Sequence, residues 1–344
     1  MSRIVLGLGA VLLLLVGCRS GPSRGLTRFE YERPEMGLPF RIILYAPDTN
    51  RAAAASEAAF ARIAELNASL SDYDEQSELS RLSRTAGSGR WVLLGPDLAK
   101  VLRAAEMVSR ASDGAFDVTV GPLVQLWKRA RRQRQLPSEA SLAAARAATG
   151  WTNLSLRRSG AEWEARLERP GMRLDLGGIA KGYALDEAAK VLRQNGMSRF
   201  LVSGGGDMVV GDPPPGAHGW RVEVGVFDVP QPPESRFVLL RNVALATSGD
   251  TFQRAEIGGR RYSHIVDPRT GIGLTDHGLV TVIAPSGMDA DALSKVFSVL
   301  GADRAWLMAR RYGVEVSLLR MPGDRVEKWS SPGFHRWLEP KATP

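Results

Sequence analysis

Residues 172–192, MRLDLGGIAKGYALDEAAKVL, constrain the fold more than any other stretch of this chain. Met172–Leu176 alternates apolar and polar residues, which predicts a short strand. Gly177-Gly178 then turns the chain, and Ile179, Tyr183, Ala184, Ala188, Val191 and Leu192 recur at helical spacing, which predicts a helix over 179–195. A strand, a glycine turn and a helix in that order aim free backbone N–H groups and a positive helix end at one spot. Glycine at the turn lets an anion approach the main chain, Lys181 adds a mobile positive charge in the first helical turn, and Asp175 at the strand end offers a carboxylate to a sugar hydroxyl or a metal. The same pattern also makes an ordinary structural turn, and the segment alone does not choose between the two. If it binds a ligand, the ligand carries phosphate.

The N-terminus indicates an exported chain. Arg3 precedes an apolar run from Ile4 to Val16, shorter than the ~18–20 residues a spanning helix needs, and the run ends at Leu15-Val16-Gly17-Cys18. This looks like a bacterial lipoprotein signal peptide over 1–17, with lipid on the Cys18 sulfur, a polar tether over 18–30 and the folded domain over 31–344. Arg19 after the cysteine, by likeness to lipoprotein sorting, favours the outer over the inner membrane and a chain facing the periplasm or cell exterior. Cys18 is the single cysteine, so the mature chain has no disulfide, no thiol nucleophile and no thiolate metal site. The net charge of +8 is concentrated in Lys128-Arg129-Ala130-Arg131-Arg132-Gln133-Arg134, read as a solvated helix face. Nucleic acid is not an expected partner.

The remaining patterns predict strands at Phe40–Tyr45, 151–157, 162–168, 199–203, 207–210, 220–226, 236–240 and 279–284. They predict helices at Ala52–Leu66, Ser77–Leu82, Pro96–Ala111 and from Met288 through Leu300. Strands and helices do not alternate strictly, and several strands are hairpin neighbours. The fold class is therefore α+β, with mixed, largely antiparallel sheets and packed helices.

Several segments carry polar residues that a fold alone does not require. Gly114–Pro122 puts Ala115, Phe116 and Asp117 at a loop tip, suited either to a planar ring with a polar edge or to plain packing. Ser203-Gly204-Gly205-Gly206-Asp207 allows close backbone approach or simply a tight bend. Tyr262–Gly271 holds His264, one of four histidines, in a position to take a proton from a hydroxyl near neutral pH. Asp289 and Asp291 open a helix, where carboxylates either cap it or, facing Gly177-Gly178, build an all-oxygen cation site.

Taken together, Tyr73-Asp74 with Ser77–Leu82, Gly114–Pro122 with Leu126-Trp127, Leu174–Ala184, Gly205-Gly206-Asp207, Ala246–Asp250, Ser263–Gly271, and Val282–Pro285 with Asp289–Leu293 resemble the ApbE family of FAD:protein FMN transferases. The resemblance implies the fold of those flavin transferases and a Mg²⁺-dependent enzyme. Such an enzyme takes FAD as substrate, transfers its FMN half to a Thr or Ser hydroxyl of an acceptor flavoprotein, such as a quinone oxidoreductase or Rnf-type subunit, and releases AMP. It implies that Met36, Tyr73, Ala115, Phe116, Asp117, Asp175, Lys181 and His264 line the FAD site, that His264 and Lys181 act in catalysis, and that Gly178 through its carbonyl and Asp291 hold the metal. An FAD pyrophosphatase giving FMN and AMP, and a lipid-anchored FAD-binding protein without turnover, are the alternatives. One position departs from the family pattern: Lys295 stands where a threonine commonly completes the metal site. An ammonium does not ligate a cation, so water or Ser294 would replace that ligand, or Lys295 would take over part of the metal's charge.

Overall fold

Phe40, Ile42 and Leu44 alternate along one strand with Arg41, Ile43 and Tyr45, and this period of two gives the sheet two apolar faces that need covering. A computed structural model describes residues 25–225, 227, 236–250, 254–323 and 325–340. In chain order the strands are β1 (Thr27–Glu35), β2 (Leu38–Ala46), β3 (Val92–Leu94), β4 (Leu154–Ser159), β5 (Glu162–Leu167), β6 (Phe200–Gly204), β7 (Asp207–Val210), β8 (Trp220–Val224) and β9 (Arg236–Leu240). They continue as β10 (Ala244–Gly249), β11 (Arg254–Ile257), β12 (Arg260–Ser263), β13 (Val266–Asp267), β14 (Ile272–Gly273), β15 (His277–Ala284), β16 (Glu315–Met321) and β17 (Glu327–Ser330). The helices are α1 (Thr49–Leu70), α2 (Glu78–Ser83), α3 (Pro96–Ala111), α4 (Gly121–Gln133), α5 (Glu139–Ala147), α6 (Ala180–Gln194), α7 (Gly287–Leu300) and α8 (Ala302–Tyr312).

The central sheet runs β1-β2-β6-β7-β10-β15-β16-β17 and is antiparallel at every pairing. The expected α+β class with antiparallel sheets is what folds. Phe40, Ile42, Leu44, Phe200, Val202, Ala246, Val280 and Val282 point to one face and share a core with Phe60 and Ile63 of α1, Leu185 and Ala188 of α6, and Leu293 and Phe297 of α7. The opposite face, through Val210, Leu245 and Ile283, packs against Trp220, Val224, Val238 and Leu240 of the β8–β9 hairpin and against Phe334.

Helices α6 and α7 touch backbone to backbone because Gly182 and Gly287 sit at their crossing. A Cβ at Gly182 would lie 2.0 Å from the Gly287 carbonyl oxygen and 2.8 Å from Asp291 Cβ. Asp186 of α6 ties the same pair from the side, its two oxygens accepting from Gly287 N (2.6 Å) and Met288 N (2.9 Å), so it supplies partners to the first N–H groups of α7. The Ser286 hydroxyl accepts from Asp289 N at 3.1 Å and donates to Asp289 Oδ2 at 2.8 Å, a reciprocal cap. Of the two carboxylates expected at this terminus, Asp289 holds the capping Ser286 hydroxyl and Asp291 faces α6.

Three boundaries differ from the sequence expectation. Residues 172–176 keep their alternation, with Met172, Leu174 and Leu176 buried, but form no strand. They run beside the 118–120 loop, joined by Asp175 N to Val118 O (2.8 Å) and one parallel bridge, Val120 to Arg173, too little pairing for a ladder. The strand expected over 151–157 starts only at Leu154, after a 3₁₀ turn at Trp151–Asn153. The stretch taken as tether over 18–30 enters the sheet at Thr27, paired with Ala46. The signal peptide and Cys18 lie outside the described residues. Among those residues no helix is long and apolar enough to cross a membrane.

Two outcomes follow from the α6–α7 crossing. Gly182→Ala gains about 1 kcal/mol of helix propensity but forces the two backbones apart at a cost of about 3 kcal/mol or more, so its urea midpoint falls. Burial pushes the Asp186 carboxyl up to about 6, against the two N–H groups that favour its charge. A raised folded-state value means that the native state keeps a proton the unfolded chain has lost, so this group's contribution to stability falls as pH rises from about 4 to about 6. Urea unfolding across that window shows the decline in the native chain and a flatter profile in Asp186→Asn.

Candidate active site

The β6–β7 hairpin explains why three glycines stand in a row. Gly204 pairs with Asp207, and Gly205 and Gly206 make the two-residue turn with φ of 62° and 92°, the left-handed conformation that favours glycine at both positions. A Cβ at Gly204 would also meet the Phe40 ring at 2.8 Å. Of the two readings, the tight bend is the one realised, and it delivers Asp207 to the first residue of β7.

There Asp207 Oδ2 accepts a short hydrogen bond from Lys181 Nζ, and Asp207 Oδ1 accepts from Thr247 N at 3.1 Å. Lys181 Nζ also donates to Asp291 Oδ1 at 3.3 Å, and Asp291 Oδ2 accepts from Gly182 N at 3.2 Å. Lys295 Nζ donates to the same Asp291 Oδ1 at 2.8 Å and to Ser294 Oγ at 3.1 Å. Ser294 Oγ donates to the Asp291 carbonyl at 2.6 Å and lies 2.7 Å from Ser248 Oγ. Strands β7 and β10 and helices α6 and α7 thus meet in one network around two buried carboxylates. Asp291 is fully buried and Asp207 2% exposed. Burial works against ionisation of Asp291, yet Lys181 and Lys295 outweigh it and hold the carboxyl below its usual range. Asp207 goes the other way, raised by burial and by the nearby Asp291 charge despite Lys181. Burial opposes the charge of Lys181 too, but Asp291 and Asp207 keep it above the ordinary lysine value. It is therefore a fixed charge, not the mobile one its place in the sequence suggests.

The glycine turn brings the aromatic loop to this network. A Cβ at Gly178 would lie 3.2 Å from Phe116 Cε2 and 3.2 Å from Lys295 Cγ, so ring, turn and lysine stem are in contact across a gap that only glycine leaves open. Phe116 and Ala115 are buried. Asp117 does not present a polar edge to a ligand as its loop position suggests. Its Oδ1 accepts from both Thr119 N and Thr119 Oγ1 at 2.7 Å, and burial raises its carboxyl despite these bonds. Asp175 Oδ1 accepts from Gly177 N at 2.8 Å, and its carboxyl is raised by burial and by Asp72. Tyr73 is 79% exposed, with Lys128 Nζ 2.8 Å from its hydroxyl and 4.4 Å from its ring centroid. Lys128, a member of the expected solvated face, turns toward this turn, 3.7 Å from Asp72. Met36 occupies the β1–β2 turn at φ 51° and packs on the main core.

His264 is half-buried between β12 and β13. Its hairpin is built by Ser263 N to Leu274 O (2.7 Å), Leu274 N to Ile265 O (2.9 Å) and the Ser263 hydroxyl accepting from Ile265 N (3.1 Å). The rest of that motif is structural: Asp267 holds Arg269 through Nε (2.9 Å) and Nη2 (2.8 Å), and Trp127 Nε1 donates to Gly271 O at 2.8 Å. A cavity of about 220 Å³ is lined by Ser263 and Ile265, on either side of His264 in the chain, and by Gly249 and Ser298.

Two groupings have no counterpart in the sequence expectations. In the sequence Asp207 stands only as the end of a glycine turn; the signal for its role is that Lys181 has no acidic residue three or four positions away on its own helix and needs a countercharge from elsewhere. Buried Asp250 gathers His277 Nδ1, Arg261 Nε (2.5 Å) and Gly278 N (3.2 Å), with the His277 ring stacked on Phe227 at 4.2 Å.

Of the donors expected to hold Mg²⁺, which include the Gly178 carbonyl, the three side chains do not suit it. Mg²⁺ needs a near-octahedral oxygen shell, but Asp291 already carries two ammonium groups and an N–H, Ser294 is bonded to Asp291 and Ser248, and Lys295 brings no lone pair. Among the described residues no group of three or more His, Cys, Asp or Glu forms a metal site.

A family model, the ApbE family, matches residues 36–318. The chain belongs to the ApbE family. It is 31% identical over 341 residues to the FAD:protein FMN transferase of Escherichia coli K12, covering 96% of this chain and 95% of that one. To the protein of the same name from Treponema pallidum it is 31% identical, with 93% and 92% covered. Among solved structures, the flavin transferase ApbE of Vibrio cholerae superposes with a TM-score of 0.81 at 28% identity, covering 91% of this chain and 100% of that one. The apo flavinyl transferase ApbE of Pseudomonas stutzeri gives 0.79 at 28%, covering 91% and 97%. The ApbE fold expected from the motifs is the fold found.

Removing Lys181 leaves two interior carboxylates facing each other. Lys181→Met therefore loses about 3 kcal/mol or more of stability. The double variant Lys181→Met, Asp207→Asn loses less than the sum of the single changes by about 1 kcal/mol, a coupling that urea midpoints of all four proteins measure.

Proposed function

We propose that this chain moves the FMN half of FAD onto a serine or threonine hydroxyl of an acceptor flavoprotein. The observation that carries the reading is the pair of ammonium groups, Lys181 and Lys295, fixed on buried carboxylates at the glycine turn that opens α6, next to the Phe116 ring, in a chain of the ApbE family. Phosphoanhydride cleavage requires positive charge already in place at the phosphate oxygens, and two lysines with their stems held in place provide it. The flavin ring would lie toward Phe116 and Tyr73.

The acceptor oxygen attacks the flavin-side phosphorus and forms the new P–O bond as the bond to the bridging oxygen breaks. AMP leaves with that oxygen, and the hydroxyl proton goes to His264, whose imidazole takes protons near neutral pH. The cavity flanked by Ser263 and Ile265, the chain neighbours of His264, would receive the acceptor segment. Lipid on Cys18 would hold the enzyme on a membrane facing the periplasm or cell exterior, where exported acceptors are met. The Mg²⁺ that the family resemblance implies has no role in these steps.

Full-length protein in detergent, incubated with FAD and a domain bearing an exposed threonine, should yield acceptor whose flavin fluorescence survives denaturing electrophoresis. His264→Ala should lower that label by about 100-fold or more while FAD binding persists. AMP and free FMN without labelled acceptor would mean hydrolysis, and bound FAD without either product would mean a carrier.

A further inference from the structure

We infer that Lys295 is a tethered cation standing where a divalent ion would sit on Asp291, so that this chain holds the FAD diphosphate through two ammonium groups without a metal. The inference rests on the FAD reading above and adds how this particular chain neutralises the phosphates. Three observations support it, none of them dependent on a bound ion.

First, Lys295 is not a loose surface lysine. Its stem lies against the Gly178 turn, with Cγ 3.2 Å and Cε 3.9 Å from where a Cβ on Gly178 would be, and Phe116 closes the same spot at 3.2 Å. Its side chain is 18% exposed, and Asp291 lies one helical turn before it on α7, so the ammonium is held over the carboxylate by covalent geometry as well as by charge.

Second, the donors balance. An ammonium has three N–H groups. Among the described residues, Lys295 uses two on Asp291 Oδ1 and Ser294 Oγ, and Lys181 uses two on Asp207 and Asp291. Each lysine keeps one N–H for a ligand, and a diphosphate offers one acceptor or more per phosphorus. Lysine binds phosphate well as a point charge.

Third, three of the four lone-pair sites of the carboxylate that would ligate a metal are taken. Asp291 Oδ1 has two ammonium partners within 3.3 Å and Oδ2 has the Gly182 N–H, so a divalent ion would have to displace Lys295 to reach Oδ1. Threonine at position 295 would offer a neutral oxygen and free one carboxylate lone pair. Lysine supplies the charge and removes the vacancy together.

The test is FAD affinity measured by flavin fluorescence quenching on full-length protein in detergent, with EDTA and with added Mg²⁺. The native chain should bind FAD within about threefold equally in both. Lys295→Thr should bind on the order of tenfold more weakly in EDTA and recover with Mg²⁺. Mn²⁺ with FAD should give a protein-bound electron paramagnetic resonance signal in that variant and not in the native chain. Lys295→Arg, which keeps the charge, should retain metal-free binding, and Lys295→Gln, which keeps the length but not the charge, should lose it; this pair decides the matter if the threonine variant does not fold. Loss of FAD from the native chain in EDTA, or metal-free binding by Lys295→Gln equal to native, would overturn the inference even if acceptor labelling is seen. Metal-free FAD binding without any labelling would overturn the transferase reading and leave this one standing. No FAD binding under any condition would remove both.

Discussion

An ammonium group enters a protein interior only if carboxylates go with it, and a buried carboxylate in turn needs cations or N–H groups. Lys181, Asp207 and Asp291 satisfy that demand mutually, and because the three come from α6, β7 and α7, the demand fixes how those elements meet. Gly182, next to the lysine, permits α6 and α7 to approach closely enough for its N–H to reach Asp291. The glycine hairpin between β6 and β7 serves the same end by turning Asp207 inward. The charged network is thus a structural joint and, in the function proposed above, the surface that faces the phosphates.

That double role separates residues by what they do. Asp186 and Ser286 work at the α7 terminus, and Asp117 and Asp267 tie down their own loops. None of these reaches the network around Asp291, although all sit within a few residues of motifs typical of the ApbE family. The groups that the proposed function sets against a ligand are fewer: the two lysines, the Phe116 ring, the Gly178 turn and, on its own hairpin, His264.

The likeness to flavin transferases of known structure extends over nearly the whole chain, so Lys295 is set in a familiar frame. A lysine there keeps the site electrically occupied at all times. An exchangeable ion makes charge at the phosphates depend on what the surroundings supply, whereas an ammonium held by its own helix makes it a property of the chain.

Period-two and helical spacing in the sequence were enough for β2, α1, α3, α6 and α7 and for the α+β class, because burying one face of a strand or helix is a local demand written in local residues. The glycine turn, the aromatic loop and the placement of His264 on a polar segment were legible for the same reason. Residues 172–176 look like a strand locally but have no partner strand to pair with, and pairing is settled elsewhere in the chain. Likewise, that Asp289 holds the capping Ser286 hydroxyl while Asp291 faces inward, that Asp207 neutralises Lys181, and that Lys295 lies on Asp291 against Gly178 were decided only by the tertiary structure. Lys181 lies 26 positions from Asp207 and 110 from Asp291. No helical or strand window contains those partners and only folding brings them within reach, whereas Lys295 and Asp291 are neighbours on one helix whose placement against Gly178 is what folding adds.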